Sequence, residues 1–283
     1  MAKREVELVV ISDVHLGTYG CHAKELLNYL KSIKPDTIIL NGDIIDIWQF
    51  SKSYFPESHM KVIRRIMKFI TEGVRVYYLT GNHDEMLRKF SDLKIGSFQL
   101  TDKLVLPLGN KKAWFFHGDV FDVTMQHSKW LAKMGAVGYD TLIIINSIVN
   151  WLLTLSNREK MSFSKKIKAR FKDAVKFINQ FEITAAELAV EKGYGYVVCG
   201  HIHQPEIRNI ETENGDVLYL NSGDWVENLT ALEFNNDAWS IYKYLPEHYA
   251  QQTEDNDLLD TEDLNEKLDV KLMFERFRTE FPG

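Results

Sequence analysis

Disulfides cannot organise this chain. Its 283 residues include two cysteines, Cys21 and Cys199, too few for a disulfide framework. Cys199 lies in the apolar run "YVVCG", where a free buried thiol is the plain reading. A reducing compartment follows. Positive charge is short as well: 34 Lys and Arg stand against 40 Asp and Glu, a net charge of −6. The overall balance therefore offers nothing to nucleic acid. No apolar run reaches the roughly 18–20 residues that span a bilayer. The nearest, "LIIINSIVNWLLTL" (Leu142–Leu155), is too short and carries Asn146 and Asn150. The N-terminal "MAKREVELVVISDVH" has only a brief apolar stretch with charges at its start, unlike a secretory signal. A cytoplasmic protein is expected. Internal repeats and low-complexity tracts are absent.

What is present argues for a packed α/β domain. Hydrophobic residues make up 45% of the chain and charged residues 26%, a globular balance. The short runs "ELVVIS", "TIILNG", "VRVYYLTG", "KAWFFHG", "GYVVCG" and "VLYLNSG" read as buried strands. Between the early ones, Leu26, Leu27, Leu30 and Ile33 share a helix face, as do Val62, Ile63, Ile66, Phe69 and Ile70. Strand and helix in alternation predict an α/β fold. "ALEF" and "WSIYKY", joined by "NND", add a late hairpin, so a sheet with both parallel and antiparallel strands is expected.

Two stretches break the alternation. From Asp122 to Lys192 the pattern is helical with no strand, which predicts a helical cap inserted at 122–192 in a main domain of residues 1–245. It contains Leu142–Leu155 and then a basic run with Arg158, Lys160, Lys165, Lys166, Lys168, Arg170 and Lys172. Residues 246–283, including "QQTEDNDLLDTEDLNEK", form an acidic and weakly patterned extension.

Each of five strand-like runs ends in groups that can bind a metal. They are Asp13 and His15, Asp43, Asn82 with His83 and Asp84, His117 with Asp119, and His201 with His203. Five of the nine histidines stand at these ends. In parallel α/β sheets the carboxyl ends of strands converge on the ligand crevice, so positions 13 to 203 can meet. Any one motif alone reads as readily as a polar turn, "GNHD" included; the five together do not. Mixed oxygen and nitrogen donors without thiolate suit Mn²⁺, Fe²⁺ or Zn²⁺ and exclude a Cys-based structural zinc site. The donors are too many for one ion, and two ions about 3.5–4 Å apart can share a carboxylate.

The blocks "DVH", "GD" with "DIW", "GNHD", "HGD" and "GHIH" resemble those of the calcineurin-like metallophosphoesterases, from Val6 to Tyr244. The resemblance implies a four-layer α/β/β/α sandwich with a helical cap. It implies one ion on Asp13, His15 and His203, a second on Asn82, His117 and His201, and Asp43 as the bridge. It implies that His83 acts on the phosphoryl group or leaving oxygen with Asp84 orienting it, and that hydroxide bridging two ions, most simply Mn²⁺, attacks phosphorus in line. Asp46, Asp119 and Asn221 are read as supports of the ligands rather than ligands.

Within that family, "GDIIDIW", "GHIHQP" and the helical insertion are similar to the UDP-2,3-diacylglucosamine pyrophosphatases of lipid A synthesis. That similarity implies a nucleotide-linked glycolipid substrate and peripheral contact with the cytoplasmic face of the inner membrane. Leu142–Leu155 then walls an acyl groove and the basic run faces anionic headgroups; the plainer alternative is a buried helix with a solvated basic face. Two departures stand out. His83 occupies a position where well-known members of that branch carry Arg, and "VFDVTMQHSKW", with His127 and Lys129, differs after "HGD". A soluble phosphodiesterase or phosphatase acting on nucleotides or other small phosphoesters is the alternative activity, and a non-catalytic metal-binding scaffold the third.

Overall fold

Strand β1, Arg4–Ile11, is buried on both faces from Leu8 onward. Successive side chains of a strand point to opposite faces, so the sheet that contains β1 is covered on both sides. A computed structural model describes residues 3–47, 54–121 and 164–249. The chain divides into two compact units, Met1–Tyr244 and Leu245–Gly283. Of the second, only residues 245–249 are described, with a 3₁₀ turn at Pro246–His248.

β1 pairs in parallel with β2 (Ile33–Asn41), β2 with β3 (Arg75–Leu79), and β3 with β5 (Phe98–Thr101). The two-residue strand β4 (Lys94–Ile95) closes that edge. On the other side of β1 lie β11 (Thr230–Asn235) and β12 (Ala238–Lys243), the late hairpin, both antiparallel to their neighbours. The mixed strand pattern is divided between this seven-stranded sheet and a second of five. The second runs β6 (Lys103–Leu108), β7 (Lys111–Phe116), β8 (Tyr196–Cys199), β10 (Gly215–Asn221) and β9 (Glu206–Thr212). Its centre, β7–β8–β10, is parallel.

The two sheets face each other. Leu8, Val10, Ile39, Leu79, Leu232 and Phe234 of the first meet Ala113, Phe115, Tyr196, Val198 and Leu220 of the second in one core. The alternate residues Val197, Cys199, Val217 and Tyr219 point the other way, onto helix α3 (Ser164–Glu191). Ala185, Ala186 and Ala189 face that sheet, and their small side chains let the helix lie close. Helices α1 (Ala23–Ser32) and α2 (Glu57–Thr71) pack on each other and against β2 and β3 of the first sheet. Helices thus flank the two mixed sheets, consistent with the α/β fold that the resemblance implied.

Ile33 is not on the α1 face. The helix stops at Ser32 and Ile33 opens β2 with extended backbone. Pro35 explains the stop: it cannot donate an N–H, and it disfavours helical backbone at Lys34. Strands β4, β5, β6 and β9 were not evident from hydrophobic runs. β6 alternates half-buried and exposed residues and carries Pro107, which an edge strand tolerates; β9 is a polar edge on the far side.

Of the predicted cap, the described part of the region 122–192 is helix α3 with the turn that follows it; Leu142–Leu155, His127, Lys129, Arg158 and Lys160 lie outside the described residues. Among the described residues no helix is long and apolar enough to cross a membrane.

Candidate metal centre

The carboxyl ends of β1, β2 and β3 from the first sheet and of β7 and β8 from the second meet at one end of the sandwich. Asp13 and His15 follow β1, Asp43 follows β2, and Asn82, His83 and Asp84 follow β3. His117 directly follows β7, and His201 and His203 follow β8. Each sheet thus brings part of the donor set.

Left-handed backbone turns these donors inward. Asp13, His15, Asp43, His201 and His203 have φ of 50°, 53°, 53°, 67° and 54°. Such a conformation costs a non-glycine residue on the order of 1–3 kcal/mol and persists only where the surroundings impose it. Here they do. The amides of Val14 and His15 both donate to the Asp43 carbonyl at 3.0 Å, and the Gly200 amide donates to the His117 carbonyl at 2.9 Å. The motif glycines make room for this. A Cβ on Gly42 would sit 2.4 Å from the His117 ring, and one on Gly81 2.2 Å from Asp43 Oδ1.

Three groups of side chains each place one donor atom per residue within 4.8 Å of one another: Asp13, His15 and His203; His15, Asp43 and His83; and Asp43, His117 and His201. Backbone contacts orient them. Asp13 Oδ2 accepts the His201 amide at 3.0 Å, which leaves Oδ1 beside His203 Nε2 at 3.2 Å. Asp43 Oδ1 accepts the His83 amide at 2.8 Å, and Oδ2 stands 3.2 Å from His117 Nε2. Nδ1 of His117 is 2.9 Å from the Asn41 carbonyl, so it carries the proton and leaves the Nε2 lone pair facing inward.

These residues fit a divalent cation. Asp13 Oδ1, Asn82 Oδ1 and His117 Nε2 are buried and lack a hydrogen-bond partner. Buried polar atoms are almost always paired; three unpaired acceptors among converging loops are what a cation satisfies. The charges agree. Burial pushes the Asp13 carboxyl up, but the His203 and His117 imidazoles reverse this and hold it at about 2. Burial likewise raises Asp43, and His117 brings it well below the usual range. His203 is pushed down by burial and up more strongly by Asp13, to about 9. Without a cation, imidazolium and carboxylate neutralise each other.

His83 and Asp84 part company. The ring partner of His83 is Asp46, whose Oδ2 lies 2.9 Å from Nδ1. Burial alone would lower the His83 pKa, but the hydrogen bond to Asp46 leaves it raised. Asp84 does not orient His83, contrary to the sequence expectation. Its Oδ1 accepts the Gly81 amide, and its Oδ2 accepts the Ile44 amide at 3.0 Å and the Tyr78 hydroxyl at 2.6 Å. Burial, reinforced by the charge of Asp43, raises Asp84 to about 6. The His83 and His203 side chains keep 27% and 39% exposure, so the centre opens to solvent on their side.

Of the expected supports, Asn221 holds the His201 loop by donating to the Gly200 carbonyl at 2.8 Å, and Asp119 pairs with Arg88. Asp224 was missed. Its Oδ2 lies 3.8 Å from His203 Nδ1, and Asn228, bonded to Asp224, also donates to the His203 carbonyl at 2.8 Å. The signal was legible: "NSGD" closes the apolar run "VLYL" as "NGD" closes "TIIL".

A family profile described as Calcineurin-like phosphoesterase matches residues 6–205. The chain belongs to that family. It is accordingly a metal-dependent phosphoester hydrolase. Curated relatives include a UDP-2,3-diacylglucosamine hydrolase of Aliivibrio fischeri (strain MJ11), 22% identical over 252 residues that cover 83% of this chain and 98% of the relative. A hydrolase of the same name from Vibrio cholerae serotype O1 is 25% identical over 251 residues, 85% and 97% of the two chains. Among solved structures, an archaeal phosphodiesterase is similar at 14% identity and a TM-score of 0.40, over 83% of this chain and 98% of that one. The phosphoesterase Yfce from E. coli has the same 14% identity, with a TM-score of 0.39 over 82% and 90%.

Proposed function

We propose that this phosphoesterase uses two divalent ions to cleave the diphosphate of UDP-2,3-diacylglucosamine or a related nucleotide-linked glycolipid. The observation that carries the two-ion part is Asp43, which belongs to two of the three donor groups at once. Asp13, His15 and His203 are assigned to one ion, Asn82, His117 and His201 to the other, and Asp43 to both. The donor set favours Mn²⁺, with Fe²⁺ and Zn²⁺ chemically compatible. The substrate assignment is supported by relatives bearing that hydrolase name that match this chain along 97–98% of their length. Under this reading residues 122–192 form the cap over the acyl chains, 246–283 an extension, and the protein works at the cytoplasmic face of the membrane.

Held by these residues, divalent ions would supply an activated water as nucleophile near neutral pH. The protein does the rest. Asp43 fixes the separation of the two donor sets. His83, held by Asp46, presents its other ring nitrogen on the solvent-open side, where it can hydrogen-bond a phosphoryl oxygen and give a proton to the leaving group. Asp84 acts at one remove, locking the turn that carries Asn82 and His83 to the amide of Ile44.

The second reading, hydrolysis of soluble nucleotides or other small phosphoesters, is favoured by one feature, His83 in place of the branch's Arg. Phosphorus NMR separates the two. With Mn²⁺, UDP-2,3-diacylglucosamine should give UMP and the lipid monophosphate, and excess EDTA should stop it. Intact lipid beside hydrolysed aryl phosphodiester in the same buffer would favour the second reading.

A further inference from the structure

Arg88 lies outside every motif named above, on the 3₁₀ turn Glu85–Phe90 that follows Asn82–Asp84. We infer that Arg88 is a positioning residue for one ion of the pair, that of Asn82, His117 and His201, because its guanidinium clamps together the loops that carry Asn82 and His117. The inference rests on the ligand assignment proposed above.

The need for a clamp follows from the architecture. Asn82 hangs from the first sheet and His117 from the second, and no backbone ladder joins the two sheets. One tie is Asn41, whose side-chain amide donates to the Phe116 carbonyl at 3.1 Å. Arg88 supplies another. Its Nε donates to Thr80 Oγ1 at 3.2 Å, two residues before Asn82. Its Nη2 donates to Asp119 Oδ2 at 2.5 Å, two residues after His117. The Thr80 hydroxyl donates in turn to Asp102 Oδ1 at 2.7 Å. The chain Asp102–Thr80–Arg88–Asp119 thus spans both sheets beside the ligands.

This differs from an ordinary surface ion pair, which contributes little. The Asp119 side chain is 10% exposed, so removing its partner strands a nearly buried charge. A planar guanidinium holds two acceptors at a fixed angle, and a lysine ammonium does not. The other ion's donors, Asp13, His15 and His203, are set instead by Gly42, Asp43 and Asp224. The effect should therefore be one-sided.

The test is titration of metal-free protein with Mn²⁺, followed by electron paramagnetic resonance of free and bound ion. The wild type should bind two ions and show the exchange-coupled spectrum of an adjacent pair. In Arg88→Lys and Arg88→Met, one ion should bind within twofold of wild type and the other about 10–100-fold more weakly, with loss of the coupled spectrum at limiting metal. Asp119→Asn should do the same, and the double variant with Arg88→Met should be no worse than the poorer single one. Thermal melts confirm that each variant folds, and Arg88→Lys keeps the charge should Arg88→Met not fold. Two ions bound with wild-type affinities, or both weakened equally, would overturn the inference. A wild type that binds one ion would remove the ligand assignment as well.

Discussion

Nδ1 of His83 lies 2.9 Å from Oδ2 of Asp46, a buried carboxylate three residues beyond Asp43. Asp46 therefore sets the His83 ring, while Asp43, on the same loop, stands in two of the candidate donor groups. Asp46→Asn should lower kcat by roughly 10–100-fold and leave KM and metal content nearly unchanged, and His83→Ala should lower kcat by about 10²–10⁴-fold. Steady-state kinetics with metal analysis on the same samples checks both. Loss of metal from Asp46→Asn would instead make that residue a support of the ligands.

Asp84→Asn should behave differently, as a stability change. An asparagine cannot accept from Gly81, Ile44 and Tyr78 with both of its side-chain atoms, and its amide group would oppose one or more of those donors. A loss of about 2–4 kcal/mol is expected from the mismatched charge-assisted bonds. Urea denaturation measures it, with kcat per folded molecule falling less than in His83→Ala.

Asp43→Ala removes the one carboxylate that belongs to two of the three donor groups found among the described residues. Turnover should fall below detection for every phosphoester tried, and metal analysis should find at most one ion. Unchanged activity would rule out the shared carboxylate. EDTA should abolish wild-type activity, and added Mn²⁺ should restore it.

His59 makes part of the stability depend on pH. It is buried, its Nδ1 accepts the Gly17 amide at 2.9 Å, and burial lowers its pKa to about 4. In the unfolded chain it titrates near 6.5. Between those values the unfolded state holds the extra proton, so this contribution is intact above pH 6.5 and is lost as pH falls toward 4. The loss reaches about 3 kcal/mol. His59→Gln, which can still accept from Gly17 and does not titrate, should lose less stability than wild type between pH 7 and pH 4.5. Parallel urea curves for the two proteins would exclude the proposal.

Much of this protein could be read along the chain because two signals are local. Apolar runs such as Leu8–Ile11 and Tyr196–Cys199 mark strands by composition. Donors placed immediately after them, Asp13, Asp43, His117 and His201, mark a centre, since parallel strands bring their carboxyl ends together. What sequence could not decide was non-local. The division of the strands into two facing sheets depends on which edges pair, and the polar, half-exposed β6 and β9 declare themselves only as neighbours of β7 and β10. The partner of His83 was assigned to its neighbour Asp84, yet consecutive side chains diverge as the chain leaves a strand. Asp84 turned toward Tyr78 and Ile44, and Asp46, thirty-seven positions away, took its place. Arg88 was passed over for the same reason. It joins Thr80 and Asp119, on loops of different sheets, and such a contact exists only once the two sheets have packed.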